Sequence, residues 1–246
     1  MHKPVIIGTN EVKDALVLAL ENAVIKTEGK NDKIRKFDET VDLIINVRDV
    51  DIKNPNNRID NEILLPHPIP GNLTKEDVCF IVKDQMETVL KENGYRVLNA
   101  NDLDEIQKKT KKEQKQVAKR FKYFIAQADL MRDLARVLAR YLGQQGKMPR
   151  PQPKGFGVIR PNENIDEYLA IMGRIIKISM KKQLLMQLKV GKKSQSEKEL
   201  MENINSVLSF VEGHLPIGFN NISSIYIKTT MGKPVMVKEA KKGGKR

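Results

Sequence analysis

The sequence predicts an α/β protein, and three observations lead there. Short apolar runs at Val78 to Val82, Tyr95 to Leu98 and Tyr123 to Ala126 alternate with helical patterns at Asp84 to Asn93, Asp102 to Arg120 and Asp129 to Leu142. That rhythm belongs to a parallel sheet with crossover helices. Two borders rich in proline and glycine enclose the segment, and the texture outside them is mixed, with alternating strands beside amphipathic helices. A chain of 246 residues is long enough for one large domain or two ordinary ones with cores of their own.

Taken in order, Asn10 is the expected N-cap of a helix running to about Lys26, with Val12, Leu16, Ala19, Leu20 and Ala23 on one face. Val41, Leu43, Ile45 and Val47 alternate as a half-buried strand does, and Ile63-Leu64-Leu65 is an apolar return after a polar loop. Pro66, Pro68 and Pro70 then form the first border. Asp129 is the expected cap of the helix whose stripe is Leu130, Leu134, Val137, Leu138 and Tyr141, and Gly143 its expected end. The second border is the Gly- and Pro-rich stretch 143–157. Beyond it come a helix over 165–172, strands over 174–179 and 184–190, and a long helix opened by the capping box Ser196 and Glu199. Pro216 closes that helix, and strands over 225–230 and 235–237 end the pattern.

Charge is the strongest compositional signal. Lys and Arg number 44 against 31 Asp and Glu, a formal net charge of +13, which favours a polyanionic partner. Residues 105–122 hold eight basic residues against two acidic, and the tail 238–246 five against one. No apolar stretch approaches a membrane span, and the absence of Trp argues against a membrane-surface helix, so a cytoplasmic protein without a membrane partner is expected. Cys79, the single cysteine, lies in an apolar run and is expected to be a buried hydrophobe in a reducing compartment.

Catalytic and metal constellations are missing. His2, His67 and His214 share no ligand spacing, no G-x-S-x-G occurs, and no strand of the parallel pattern leads into a glycine fingerprint. Neither a metal nor a cofactor is expected. Gly143 to Lys147 lacks the spacing of a phosphate loop, and two readings of its surroundings stand: a plain linker, or an extended basic loop whose Lys147, Arg150 and Lys154 touch phosphate. The stretch Arg35-Lys36-Phe37-Asp38-Glu39-Thr40 likewise fits either a core phenylalanine or an aromatic platform for a base. By spacing alone Met231 reads as a core cap.

Five stretches occur in a particular order: Lys36-Phe37-Asp38-Glu39-Thr40-Val41-Asp42, Leu65-Pro66-His67, Ala128-Asp129-Leu130-Met131, Gly146-Lys147-Met148-Pro149 and Thr229-Thr230-Met231-Gly232. Together they make the chain resemble the L-one family, the first protein of the large ribosomal subunit, in its archaeal form. The resemblance implies a two-layer α+β domain discontinuous in sequence, residues 1–66 and 155–246, and an inserted Rossmann-like three-layer domain, residues 67–154. It implies binding to large-subunit rRNA at a mobile stalk beside the exit site, assistance to the departure of deacylated exit-site tRNA, and repression of the protein's own mRNA. It also implies a monomer when free. Carried over by motif, the RNA-binding surface falls on Lys36, Phe37, Thr40, Ser224, Thr230, Met231 and Gly232, with Lys233 added where relatives have proline. Gly232 is expected to let an RNA backbone approach closely. Gln144-Gln145 replaces the Pro-Arg that many relatives carry ahead of the Met-Pro. The alternative function is an enzyme that binds a nucleotide or small substrate on the parallel-sheet domain.

Overall fold

The computed structural model describes residues 8–23, 35–160 and 163–238. The expected helix end at Lys26, His2 and the basic tail beyond Lys238 lie outside the described residues. The chain divides into two units, Met1–Pro70 with Arg174–Arg246, and Gly71–Gly173. The first opens with α1 (Thr9–Glu21), β1 (Thr40–Val47) and β2 (Ile59–Leu64). The second holds β3 (Val78–Ile81), α2 (Gln85–Glu92), β4 (Arg96–Leu98), α3 (Ala100–Lys108), α4 (Lys111–Arg120), β5 (Tyr123–Gln127), α5 (Met131–Gln144), β6 (Val158–Ile159) and α6 (Ile165–Met172). The chain then returns through β7 (Ile175–Met180), β8 (Leu185–Lys192), α7 (Glu197–His214), β9 (Ile222–Thr229) and β10 (Val235–Met236).

In the first unit an antiparallel sheet runs in the order β10-β9-β1-β8, and β2 pairs with β7 in a separate ribbon. Burial alternates strictly along β1, so Val41, Leu43, Ile45 and Val47 face a core shared with α1 and α7. Thr40, Asp42, Ile44 and Asn46 face the other way, onto a side that no helix among the described residues of the unit covers. Ser196 and Glu199 form the expected capping box of α7, whose buried stripe runs from Leu200 to Val211. The first helix starts earlier than expected, with Gly8 rather than Asn10 at its N-cap, a shift within the fraying of helix ends.

Asn203, fully buried on α7, binds three backbone groups on two other segments. Its side chain accepts from the His67 N–H at 2.9 Å and donates to the carbonyls of His67 and Val190 at 3.2 and 2.8 Å. Truncation would strand these groups in the core. Asn203→Ala is expected to lower unfolding stability by about 3 kcal/mol, read from urea denaturation with an unchanged m-value.

In the second unit all strands are parallel, in the order β4-β3-β5-β6. β3 is buried along its whole length, as a strand covered on both faces must be. Leu103, Ala118, Leu134 and Leu138 from α3, α4 and α5 cover one face. Met86 and Leu90 from α2, with Tyr168 and Met172 from α6, cover the other. This is the three-layer α/β arrangement.

Several local expectations change. The single helix expected from Asp102 to Arg120 is two, because Thr110 caps α4 with its own box to Glu113. Asp129 does not cap α5; its carboxylate pairs with Lys83 at 3.2 Å, and Leu130 occupies the N-cap. Gly143 lies inside α5, and Gly146, at φ 64, makes the left-handed turn that ends it. The unit closes at Gly173 and so contains the expected border at 154–155, since β6 extends the sheet beside β5 and α6 packs on its face. Cys79 is a buried free thiol whose pKa burial pushes up to about 12, which makes it inert.

Candidate nucleic-acid interface

The segment from Arg35 to Glu39 enters β1 and is fastened on both sides by consecutive acids. Asp38 accepts the Ser194 N–H at 3.1 Å and the Ser194 hydroxyl at 2.7 Å, binding the segment to the turn between β8 and α7. Glu39 points the opposite way and is buried, with 1% of its surface exposed. One of its oxygens accepts from Arg35 Nη1 at 2.7 Å and the other from the Met231 N–H at 3.0 Å. Burial alone would raise this carboxyl, but the Met231 N–H and the Arg35 guanidinium hold it below the usual glutamate range. Arg35 also donates to the carbonyls of Ala23 at 2.8 Å and Met231 at 3.3 Å, so the end of α1, the entry to β1 and the turn after β9 share one charged knot.

With Arg35 and Glu39 turned toward the knot and Asp38 tied to Ser194, the middle of the segment is left outside. Lys36 is exposed and Phe37 keeps 53% of its surface in water. Across the knot, Met231 keeps 63%. Both are large apolar side chains on backbone that cannot collapse to hide them. Sequence spacing allowed a core phenylalanine and a core-capping methionine; the structure places both outside.

Thr230 secures the turn: its N–H donates to the Thr40 carbonyl at 2.9 Å and its Oγ1 accepts the Thr40 N–H at 3.0 Å. Its hydroxyl also reaches the Thr40 carbonyl at 3.3 Å, which leaves one lone pair for a ligand. Gly232 is buried, against the expectation that its missing side chain faces RNA. A Cβ there would lie 2.3 Å from Thr229 Oγ1 and 3.4 Å from the Asn22 carbonyl, so the glycine serves packing inside the protein. Lys233 is exposed just beyond it.

Ser224 shares the uncovered sheet face with Thr40 and Thr230, opposite Asn46 at the far end of β1. It lies six positions before Thr230, about 20 Å along the strand. Ser224 Oγ accepts from Asn46 Nδ2 at 2.8 Å and keeps its own proton to donate. Between the two ends Asp42 stands between Lys228 and Lys189, and Ile44 between Tyr226 and Gln187. Burial raises the Asp42 carboxyl, and the coulombic pull of Lys228 and Lys189 only partly offsets it. The face is thus an amphipathic strip with a tip carrying Phe37 and Met231.

Arg35, Asp38 and Glu39 lie in the stretch picked out in the sequence but were not assigned to the RNA-binding surface, and they are the residues that build this site. For Arg35 and Glu39 the signal was the opposite charges at i, i+4 around the Lys-Phe pair, an ion pair observed at 2.7 Å.

Lys147, Arg150 and Lys154 belong to the second unit, whereas the strip belongs to the first. Lys147 is engaged internally, donating to the carbonyls of Ala118 at 3.0 Å and Phe121 at 2.7 Å, and burial lowers its pKa. Arg150 is half-buried and Lys154 is exposed. A cleft of about 570 Å³ in the same unit is lined by Lys75, Arg96 and Arg120 together with Glu76, Asp77 and Tyr95. It opens where the parallel strands begin, whereas ligands of such sheets bind beyond the carboxyl ends. Among the described residues no acidic, His or Cys cluster is arranged for a metal, and no helix is long and apolar enough to cross a membrane.

Comparison with known proteins gives the strip its context. The pattern of the ribosomal protein L1p/L10e family matches residues 25–233, which takes in both the Phe37 segment and the Met231 turn. A large ribosomal subunit protein uL1 from Thermofilum pendens is 38% identical over 221 residues, covering 89% of this chain and 92% of the relative. Its counterpart from Methanopyrus kandleri is 36% identical over 198 residues, covering 80% and 87%. That from Methanobrevibacter smithii is 36% identical over 214 residues, covering 87% and 96%. Matches of this extent leave neither unit outside the likeness, and the chain belongs to the ribosomal protein L1p/L10e family.

Proposed function

We propose that this protein is a structural component of the large ribosomal subunit, working in the cytoplasm, which binds the rRNA of the mobile stalk through the Phe37–Met231 tip and the strip beside it. The observation that carries the reading is the pair of large apolar side chains kept in water by a buried charged knot. Exposed apolar groups on a rigid frame suit the sugars and bases of a folded RNA, while Lys36 and Lys233 neutralise phosphates and Ser224 offers a donor to 2′-hydroxyls. The discontinuous unit is the RNA-binding domain in this reading, and the inserted unit is a scaffold.

Two finer roles extend the proposal. The stalk-bound protein assists release of deacylated tRNA from the exit site, and a similar fold in its own mRNA makes it a translational repressor. Family membership, the net charge of +13 and the lack of a metal or nucleophile constellation in the sequence support a binding protein over an enzyme.

The test is binding to a folded stalk-rRNA fragment and to an unrelated hairpin across a salt series. Specific recognition is expected to keep the two affinities apart at every salt concentration. Equal affinities falling together with salt would overturn the reading.

A further inference from the structure

We propose that the cationic face of α4 in the second unit is a separate RNA-contacting surface, which takes the phosphate backbone of duplex RNA without reading its bases. The proposal rests on the RNA-binding reading of the protein but on none of the residues of the tip or strip.

Every one of the eight lysines and arginines between Lys108 and Lys122 is exposed. Among the described residues only Lys122 of these takes an ion pair, with Asp77. Lys111, Lys115 and Lys119 repeat at i, i+4 and i+8, a row of cations with a rise of about 6 Å between members. Like charges at that spacing repel along a helix, and Lys111 and Lys112 sit in the first turn, where the helix dipole disfavours cations. The only acid in α4, Glu113, is engaged in the capping box, accepting from the Thr110 N–H at 2.9 Å and hydroxyl at 2.7 Å. A helix face that serves only solubility mixes the signs of its charges. This one does not.

The helix is nonetheless held firmly. Gln114 Nε2 donates to the carbonyls of Ile106, Gln107 and Lys109 at 3.1 to 3.2 Å, which fastens α4 to the end of α3. Lys147 secures the other end through the Ala118 and Phe121 carbonyls. Only Ala118 is fully buried, with Val117 partly packed beside it, so the rest of the helix surface is free to present charge. Row and frame together make a preorganised track for a chain of phosphates, and Arg120 continues it toward Lys75 and Arg96 in the cleft. An anionic membrane is the poorer partner, because the exposed residues of α4 are all Lys, Arg, Glu or Gln, with no apolar side to enter a bilayer.

The test uses the full chain and the variant Lys111→Gln, Lys115→Gln, Lys119→Gln with a blunt RNA duplex of mixed sequence across a salt series. The variant is expected to bind the duplex about tenfold more weakly at low salt, with the slope of log K against log salt smaller by about 2 to 3. Its melting temperature is expected to be unchanged or higher, since repulsion is removed. Duplex affinity and slope equal to those of the parent would overturn the proposal. So would loss of binding to phosphatidylserine vesicles alongside unaltered duplex binding. The stalk-rRNA fragment separates this result from the tip: a parent chain without preference for that fragment sinks the tip reading, while the duplex comparison still decides α4.

Discussion

Replacing Met231 and Thr230 together by alanine is expected to weaken the specific complex with a stalk-rRNA fragment by about 100-fold, close to 3 kcal/mol. Most of the loss belongs to Met231, which keeps 63% of its surface in water and stands outside the buried core. Thr230 is a mixed case, because its hydroxyl bonds to both the N–H and the carbonyl of Thr40. Removing it should cost about 1 kcal/mol of stability. Met231→Ala alone therefore isolates the contact with RNA, and binding measured by filter retention or calorimetry beside a urea melt separates the two effects. Normal binding by the double variant would show that the tip is not the RNA surface.

Glu39→Gln should harm both stability and binding. The carboxylate serves Arg35 with one oxygen and the Met231 N–H with the other, and an amide must turn a donor toward one of them. Breaking a pair this deeply buried is expected to destabilise the first unit by about 3 kcal/mol. It also releases the Met231 turn, so RNA affinity should fall even though Glu39 itself is buried. The carboxyl is held below its usual range, so its stabilising effect is complete above its unfolded pKa and disappears as pH falls through the lower folded value. The gap between parent and Glu39→Gln should accordingly be widest near neutral pH and close on acidification, as read from denaturation at a series of pH values. A gap that stays constant into acid would mean that Glu39 is not ionised in the folded protein.

Much of the fold was legible because its signals are local. The capping box Ser196-Glu199, the alternation along β1 and the apolar runs of β3 and β5 each state their element within a few residues. The misplaced boundaries also have local causes that propensity does not weigh. Thr110 with Glu113 interrupts a cation-rich helical pattern, and Gly146 rather than Gly143 takes the left-handed turn after α5.

The site divides along the same line. Phe37 and Met231 came from ordered motifs, but composition and spacing could not say which way they point, because apolar side chains near strands are usually core. Their exposure follows from contacts across 192 residues of chain, between the Met231 N–H and Glu39. Gly232 shows the converse: its lack of a side chain looked like an opening toward RNA, and Thr229 Oγ1 and the Asn22 carbonyl fill that space instead.

By itself, then, the sequence determined the element types, the polyanion-seeking charge and family membership, since these depend on residue identity and near neighbours. Only the tertiary structure decided that Arg35 and Glu39 close into a buried knot, that Ser224 stands a strand's length from the tip, and that Lys147 is turned inward. Those outcomes depend on where distant backbone donors and acceptors meet, and a buried charge is settled only by the partners that burial brings to it.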